Sequence, residues 1–433
     1  MIYYFIGIKG SGMSSLAQVM HGLGYNVMGS DKSEHFFTEK ALIDKGIEIV
    51  DFNANNIKEN MVIVKGNAFN DNHEEVIKAK ELGLKIYTYQ EMIAYITNNT
   101  KLIAISGCHG KTTTSTMMSK VLENVGTNYL IGDGTGYAHK DNNYFVLEAC
   151  EWKRHFLEYN PYYSIVTNVE LDHTDYYKDL DDVIDAFNSF INKARKGVVM
   201  CGDDENVRKL ITTLPTLYYG FNNNNDIVIK NVKIDNGQTT ADVYIKNKFF
   251  DSYIFPFVGN HLLLNVLAVI GVCYLENIDK NEIKNQITKI KHAKRRFIEE
   301  NVEDNIVIDD YAHHPTEVKV TIEAAREKYP DKQLIAIFKP HTKSRVQYFS
   351  KDFASALSLA DKAYVMDIGE DRKETGYDEV TSYDIINKIN GAEHISIDTA
   401  NKLLNYHNSV LLFMSSKDIY LLEDEYKRLV QMN

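Results

Sequence analysis

Residues 102–113, with the sequence Leu-Ile-Ala-Ile-Ser-Gly-Cys-His-Gly-Lys-Thr-Thr, constrain the fold more than any other part of the chain. The apolar first half is typical of a buried strand, and the last three residues begin a helix predicted to end near Val125. Between them, two glycines let backbone N–H groups surround an anion, while the helix N-terminus, Lys111 and a hydroxyl add positive charge and a metal ligand. The stretch therefore predicts a phosphate-binding loop for ATP or GTP. A glycine-rich turn with a chance lysine is the alternative, because only two residues separate the glycines where the Walker pattern has four.

The composition allows three domains and excludes several classes of protein. A chain of 433 residues has room for three cores at roughly 150 residues per domain. The net charge of −12 argues against a nucleic-acid partner, although local cations can still bind a phosphorylated ligand. The four cysteines are widely spaced and match neither a zinc pattern nor a disulfide framework. We find no signal peptide and no apolar run of membrane-spanning length, so we expect a cytoplasmic protein without a membrane partner.

The beginning of the chain has the pattern of a nucleotide-binding unit. A short apolar strand leads into a glycine turn and a helix, and a second strand ends in Ser30-Asp31. A strand–helix–strand unit with an acid about 20 residues after the turn is typical of dinucleotide-binding domains. The glycines at 7, 10 and 12 depart from the usual fingerprint spacing, however. NAD, a sugar nucleotide and a purely structural turn therefore all stay open.

Polar side chains follow two strands after the phosphate loop. Glu148 ends the apolar run 144–147, and Asn168 and His173 come soon after the run 164–167. Because ligands gather at the carboxyl ends of parallel strands, we expect these side chains to share one crevice with Lys111. A carboxylate, a hydroxyl and an imidazole can hold a divalent cation against phosphates. A solvated strand end and a satisfied histidine are the alternatives for Glu148 and His173.

Two later segments carry further candidates. His261 and Asn265 lie four residues apart on one face of a predicted helix, either as a cap and buried contact or as ligands. Towards the C-terminus, His341 and Arg345 follow an apolar strand. A guanidinium pairs bidentately with a carboxylate, so this turn suits a small carboxylic acid, with a solvated basic turn as the alternative.

The alternation of strands and helices predicts an α/β protein of three domains. We predict a Rossmann-like N-terminal domain at 1–98, a central P-loop ATPase-type domain with a mostly parallel sheet at 99–296, and a doubly wound α/β domain at 297–433. A plain ATPase or kinase needs no carboxylate-binding turn. A ligase does, because ATP activates one carboxylate as an acyl phosphate and the amine of a second substrate attacks it.

Taken together, these motifs resemble those of the Mur ligase family, and the resemblance extends along the whole chain. The residues that carry it are Gly7 to Ser14 with Gly29 to Asp31, Gly107 to Thr114, Glu148 to Glu151, Thr167 to His173, His261 with Asn265, Arg295 to Phe297, Asp309 to Pro315 and Pro340 to Arg345. The resemblance implies a ligase of peptidoglycan synthesis that joins L-alanine to UDP-N-acetylmuramate, with ATP and Mg²⁺ as cofactors.

The resemblance also implies a role for each matching residue. UDP-sugar binding falls to Gly10, Ser11, Gly12, Met13, Ser14, Ser30 and Asp31. ATP binding falls to Gly107, Cys108, His109, Gly110, Lys111, Thr112, Thr113, Asn168, His261, Asn265, Arg296 and Asp310. The metal ligands would be Thr112, Glu148 and His173, and the catalytic residues Lys111, Glu148 and His173. The amino acid would be bound by Tyr311, His313, His341 and Arg345.

The sequence departs from the family pattern at three places, and the last two fall near the substrates and leave the acceptor open. Lys9 replaces a common glycine, residues 150–153 lack an acidic run, and Thr342 stands where many members have arginine. Glycine and serine therefore stay open beside alanine as the acceptor. The oligomeric state, monomer or dimer, also stays open. A ligase that recycles preformed muropeptides is the nearest alternative. An NAD(P)-dependent dehydrogenase would leave Lys111 and Glu148 unexplained, and a non-catalytic UDP-sugar-binding regulator would not need the intact phosphate site.

Overall fold

The computed structural model describes residues 1–174, 176–291, 295–369, 374 and 376–432, and it consists of three α/β units, each with its own sheet. The predicted fold class is thus confirmed. The strands of the three sheets lie within the ranges 1–98, 99–296 and 297–433, while the boundaries themselves stay predictions. In the described part of the chain, none of the helices has both the length and the apolar character that a membrane span requires.

The N-terminal unit carries a parallel sheet of five strands. Its elements are β1 (Ile2–Ile6), α1 (Ser11–Gly22), β2 (Asn26–Asp31), α2 (Glu39–Ile43), β3 (Glu48–Asp51), a 3₁₀ helix (Ala54–Asn56), β4 (Met61–Lys65), α3 (Glu74–Glu81), β5 (Ile86–Thr88) and α4 (Tyr89–Thr97). The strand order is β3-β2-β1-β4-β5, so the order reverses between β1 and β4. Ligands of open α/β sheets bind at such a reversal, and the first glycine turn leaves the end of β1 there.

The middle unit is larger and carries the phosphate loop. Its elements are β6 (Lys101–Ser106), α5 (Lys111–Val121), a 3₁₀ helix (Glu123–Val125), β7 (Thr127–Leu130), β8 (Gly136–Tyr137), β9 (Tyr144–Glu148), a 3₁₀ helix (Trp152–Glu158), β10 (Tyr163–Val166), α6 (Leu180–Ile191), β11 (Gly197–Cys201), a 3₁₀ helix (Val207–Lys209), β12 (Thr216–Gly220), β13 (Ile227–Asp235), β14 (Gln238–Ile245), β15 (Lys248–Phe255), α7 (Asn260–Leu275) and α8 (Lys280–Ile287). The ten strands are ordered β15-β14-β13-β12-β11-β10-β6-β9-β7-β8.

The register of this sheet places the strand ends that precede the predicted site residues at the same edge. Strand β6 lies between β9 and β10 and runs parallel to both. Ile105 pairs with Glu148 on one side, and Ser106 pairs with Val166 on the other. Three strands therefore end at the same edge, as the sequence predicts, and the loops that follow them meet there.

The C-terminal unit has a sheet with apolar clusters on both faces. Its elements are β16 (Ile298–Val302), β17 (Asn305–Asp310), α9 (Pro315–Lys328), β18 (Gln333–Phe338), α10 (Lys343–Leu357), β19 (Lys362–Val365), α11 (Tyr383–Ile386), β20 (Glu393–His394), a 3₁₀ helix (Ile397–Asn405), β21 (Ser409–Met414) and α12 (Tyr420–Met432). The order is β16-β17-β21-β18-β19-β20, with β16 antiparallel at the edge. Alternate residues of β17, β18 and β21 enter two separate cores, which is the doubly wound arrangement.

The N-terminal unit packs tightly on the middle one through α1 and β8. A Cβ atom at Gly136 would lie 2.2 Å from the carbonyl oxygen of Ser15, so the close approach requires glycine. The Ser15 hydroxyl donates to the Ile131 carbonyl at 3.1 Å, and the Gln18 amide donates to the Gly134 carbonyl at 3.1 Å. The first glycine turn is thereby fixed close to the edge of the central sheet.

Candidate active site

The phosphate loop owes its shape to two glycines. Gly107 has a φ of +137° and Gly110 a φ of +79°, both in the region that disfavours other residues. A Cβ atom at Gly107 would lie 1.9 Å from Thr167 Oγ1, and one at Gly110 would lie 2.8 Å from Asn265 Oδ1. Helix α5 begins directly after the loop, and its first N–H groups have no intrahelical partners. The loop therefore has the geometry of an anion cradle at a helix N-terminus.

Lys111 lies folded back over the loop. Its Nζ donates to the carbonyl oxygens of Gly107, at 2.5 Å, and Cys108, at 3.0 Å, and it lies 3.0 Å from Glu151 Oε2. Burial opposes the charged form, but the carboxylate of Glu151 outweighs it and raises the pKa of Lys111. Glu151 is almost completely buried and is absent from the site residues predicted from sequence.

Thr112 and Glu148 form the part of the site that fits a magnesium ion. The Thr112 hydroxyl donates to Glu148 Oε2 at 3.0 Å and also lies 3.1 Å from Oε1. The N–H of Gly132 donates to Glu148 Oε2 at 2.9 Å and orients the carboxylate. A hydroxyl beside a carboxylate at a phosphate loop offers the hard oxygen ligands that Mg²⁺ prefers.

The His173 ring lies against the carboxylate of Glu151, and its role as a metal ligand stays a prediction. Its ring Nε2 lies 3.2 Å from Glu151 Oε1, so the imidazole meets the carboxylate that also pairs with Lys111. Its backbone has a φ of +52°, and its N–H donates to Asp172 Oδ1 at 2.7 Å. The structure thus joins Lys111 and His173 through Glu151, beside the pair formed by Thr112 and Glu148.

A cavity of about 290 Å³ opens next to the loop, between the middle and C-terminal units. Its lining includes these predicted ATP-binding residues: His109, Gly110, Thr113, Asn168, His261, Asn265, Arg296 and Asp310. Asn168 fixes the loop, because its Oδ1 accepts the His109 N–H at 2.8 Å. The cavity brings together residues that are up to about two hundred positions apart in the chain, and it adjoins the phosphate loop.

A buried cluster of histidines and carboxylates forms one wall of this cavity. His109 Nε2 lies 3.4 Å from Glu170 Oε2, and its Nδ1 lies 3.4 Å from Glu317 Oε1. Burial lowers the pKa of His109, but Glu317 and Glu170 prevail and raise it to about 10. Burial and the neighbouring His109 lower the pKa of His314 to about 3. Ligand atoms of His109, Glu170 and His314 lie within 4.8 Å of one another, as in a metal site. The raised pKa of His109 favours the protonated ring, however, and a ring that donates from both nitrogens does not ligate a metal.

Arg296 and Asp310 complete the cavity from the domain junction. The Arg296 guanidinium lies 4.9 Å from the centre of the Tyr311 ring and 3.6 Å from Glu317 Oε1. Asp310 accepts the N–H groups of Phe297 and Ala312, each at 2.8 Å. Burial raises the pKa of Asp310 to about 6, although Arg296 opposes this shift.

A second cavity, of about 590 Å³, lies between His173 and residues of the C-terminal unit. All four residues predicted to bind the amino acid contribute to its lining: Tyr311, His313, His341 and Arg345. Arg345 lies 2.6 Å from Asp172 Oδ1, and both side chains are buried, so this pair ties the C-terminal unit to the residue before His173. Asp172 is ionised, because Arg345 outweighs the effect of burial and holds the pKa of this carboxyl well below its usual value.

The first glycine turn has its side chains bound within its own unit. Asp31 accepts the N–H groups of Lys9, at 2.7 Å, and Lys32, at 2.8 Å. Lys9 Nζ donates to the Lys32 carbonyl at 2.9 Å and lies 3.3 Å from Glu39. Of the remaining residues predicted for the UDP-sugar, Gly10 caps helix α1, and Ser11, Gly12, Met13 and Ser14 form its first turn, with Met13 and Ser14 buried. Ser30 is also buried and donates to Glu75. Their ligand roles stay predictions.

Comparisons with known families cover most of the chain. The Mur ligase catalytic domain matches residues 2–101, the Mur ligase middle domain matches residues 105–273, and the Mur ligase glutamate ligase domain matches residues 295–417. The three matches correspond to the three units of the structure in the same order.

Solved structures with the same fold include several ligases. UDP-N-acetylmuramate-alanine ligase MurC from Thermotoga maritima is 24% identical, with all of both chains covered and a TM-score of 0.82. A murein peptide ligase from Psychrobacter arcticus is 22% identical, with 99% of this chain and 98% of that chain covered and a TM-score of 0.71. MurF ligase from Thermotoga maritima in complex with ADP is 18% identical, with 88% and 97% covered and a TM-score of 0.68.

Proposed function

We propose that this chain, which belongs to the Mur ligase family, joins L-alanine to the carboxylate of UDP-N-acetylmuramate at the expense of ATP. One observation supports this reaction above others: the phosphate loop opens between three separate binding regions. The nucleotide cavity lies on one side, the cavity around His341 and Arg345 on another, and the first glycine turn packs close to the same sheet edge. A site that must bind ATP, a sugar nucleotide and an amino acid needs such an arrangement.

The residues of the site suggest a role in each of two successive steps, phosphoryl transfer and amide formation. The loop N–H groups and Lys111 would bind the phosphates of ATP and neutralise charge as the terminal phosphoryl group moves to the muramyl carboxylate. Thr112 and Glu148 would hold Mg²⁺, which would supply positive charge during phosphoryl transfer. The acyl phosphate is then attacked by the amine of alanine, which forms the amide and releases phosphate. Arg345 and His341 line the cavity from which the amine would approach.

Phosphate release with single amino acids tests this proposal. The protein is mixed with ATP, Mg²⁺ and UDP-N-acetylmuramate, and L-alanine, glycine, L-serine or buffer is added. We expect release that depends on both the sugar nucleotide and L-alanine, together with a new amide product in mass spectrometry. ATP binding without alanine-dependent release would contradict the proposal.

A muropeptide-recycling ligase is the second candidate, favoured by the size of the second cavity. A volume of about 590 Å³ exceeds what a single alanine needs, and the murein peptide ligase from Psychrobacter arcticus has the same fold over nearly its whole length. Adding a preformed murein peptide to the same assay separates the two. Faster phosphate release with the peptide than with L-alanine would favour recycling.

A further inference from the structure

We propose that Glu151 is a positioning residue that neutralises Lys111 in the nucleotide-free protein, gives up this contact to the terminal phosphate of ATP, and keeps His173 oriented. The inference rests on the proposed ATP site and adds a residue that was not predicted from the sequence. It begins from an unusual placement: a carboxylate that is 1% exposed lies between the two residues assigned to phosphate chemistry.

Lys111 already has three acceptors for its N–H bonds. An ammonium group has three N–H bonds, and Lys111 already meets the Gly107 carbonyl, the Cys108 carbonyl and the Glu151 carboxylate. Lys111 can bind a phosphate oxygen only if it gives up one of these partners. Of the three, the carboxylate is the anionic acceptor, so it most resembles a phosphate and competes with it directly.

Hydrogen bonds hold the backbone of Glu151 in place, so we expect the Lys111 side chain to move when phosphate binds. The Tyr177 hydroxyl and the Arg154 N–H both donate to the Glu151 carbonyl oxygen. Lys111, by contrast, has a long and flexible side chain at the start of α5. When phosphate binds, the lysine side chain can swing towards it while the glutamate stays in place.

Glu151 also contacts His173. Glu151 Oε1 lies 3.2 Å from His173 Nε2 and the same distance from Lys111 Nζ. After Lys111 has turned to the phosphate, this carboxylate still accepts a hydrogen bond from the imidazole. A carboxylate bound to one ring nitrogen fixes the tautomer and the ring orientation, and leaves the other nitrogen for a ligand.

Removing the charge of Glu151 should therefore change binding and turnover in opposite directions. In Glu151→Gln, Lys111 loses its anionic competitor, so ATP should bind about tenfold more tightly, or about 1.4 kcal/mol. The turnover number should fall at least about tenfold, because an amide can both donate and accept and therefore no longer fixes the imidazole tautomer. A residue needed only for folding would weaken both. We would measure ATP affinity by calorimetry in EDTA and kcat by phosphate release.

Matched variants make the result decisive. Glu158→Gln removes an exposed carboxylate of equal size from the end of the neighbouring 3₁₀ helix, and it should change neither quantity. In a Lys111→Met background, Glu151→Gln should no longer tighten ATP binding, because the lysine that it competes for is absent. If Glu151→Gln fails to fold, Glu151→Asp takes its place in the test. This variant withdraws the carboxylate by one methylene group and should also tighten ATP binding.

Weaker or unchanged ATP binding in Glu151→Gln, or tighter binding that persists without Lys111, would overturn the inference. The binding experiment contains no sugar nucleotide and no amino acid. Tighter ATP binding without alanine-dependent phosphate release would therefore refute the proposed ligase reaction while leaving the role of Glu151 intact.

Discussion

The two glycine turns of the molecule share a backbone plan but differ in their charges. Each follows a parallel strand, β1 or β6, and leads into a helix, α1 or α5. At the first turn, Asp31 and Lys9 bind mainly backbone groups of their own unit. At the second turn, Lys111 meets the buried carboxylate of Glu151, and Thr112 meets that of Glu148. The backbone plan predicts an anion at both turns, and from the facing charges we propose that the second turn takes part in the reaction while the first only binds.

Replacing the lysine of each turn should give the largest contrast. Lys111→Met removes the cation at the transferred phosphate, and we expect kcat to fall about a thousandfold. Lys9→Met should leave kcat within about threefold of wild type, because this lysine contacts the Lys32 carbonyl and Glu39. Phosphate release measures both. Equal losses in the two variants would remove the distinction between the turns.

The carboxylate beside the second turn should come next. Glu148→Gln keeps the shape but removes a charge from the pair with Thr112, so we expect kcat to fall about a hundredfold and the Mg²⁺ requirement to rise. EDTA should stop wild-type turnover and Mg²⁺ should restore it. A normal Mg²⁺ titration curve in Glu148→Gln would show that this carboxylate does not hold the ion.

The carboxylate of the first turn should behave differently. Asp31→Asn weakens the hydrogen bonds that shape the turn around Lys9, so we expect KM for the sugar nucleotide to rise about tenfold with little change in kcat. Steady-state kinetics at saturating ATP measure this split. A fall in kcat as large as that of Glu148→Gln would place Asp31 in the chemistry instead.

The last prediction concerns stability at the second turn and not turnover. The pKa of His109 is about 10 in the folded protein, above its ordinary value of 6.5. The folded chain therefore keeps a proton that the unfolded chain loses, so this stabilisation is complete below pH 6.5 and disappears as the pH rises through 10. Relative to His109→Gln, the wild-type free energy of unfolding should fall by up to about 1.4 kcal/mol per pH unit. Urea unfolding at pH 7 and pH 9 measures the difference, and parallel pH dependences would contradict it.

The central strands and helices could be predicted because their sequence patterns are strong. The apolar runs predicted for β6, β9, β17, β18 and β21 lie within the strands observed, while the run 164–167 extends one residue beyond β10, which ends at Val166. The helix after the phosphate loop is shorter than predicted, since α5 ends at Val121 and a 3₁₀ turn covers 123–125. Peripheral strands such as β3, β8 and β16 were not predicted, because they are short and polar edges that depend on pairing with a neighbour.

The site could be predicted as a set of residues but not as a set of contacts. The strand ends predict Lys111, Glu148 and His173 as candidates, and the parallel register brings their loops to one edge. Sequence reasoning could not find that Glu151 joins Lys111 to His173, because the 3₁₀ helix that follows departs from regular geometry at Lys153. Glu170 and Glu317 were missed for a related reason. Glu170 reaches His109 from a loop of the same unit, and Glu317 reaches it from the C-terminal unit, so its contact depends on how the two units pack. A carboxylate three residues after a strand end was the available signal for Glu151.

Isotope transfer gives the most direct test of the claim that the second turn delivers phosphate to a carboxylate. UDP-N-acetylmuramate labelled with ¹⁸O in its carboxyl group is incubated with the protein, ATP, Mg²⁺ and L-alanine, and the released phosphate is analysed by mass spectrometry. An acyl phosphate requires that the carboxyl oxygen bonded to phosphorus leaves with it when the amide forms. We predict one ¹⁸O atom in each phosphate released from fully labelled substrate. Phosphate without ¹⁸O, released in step with ATP consumption, would contradict the account.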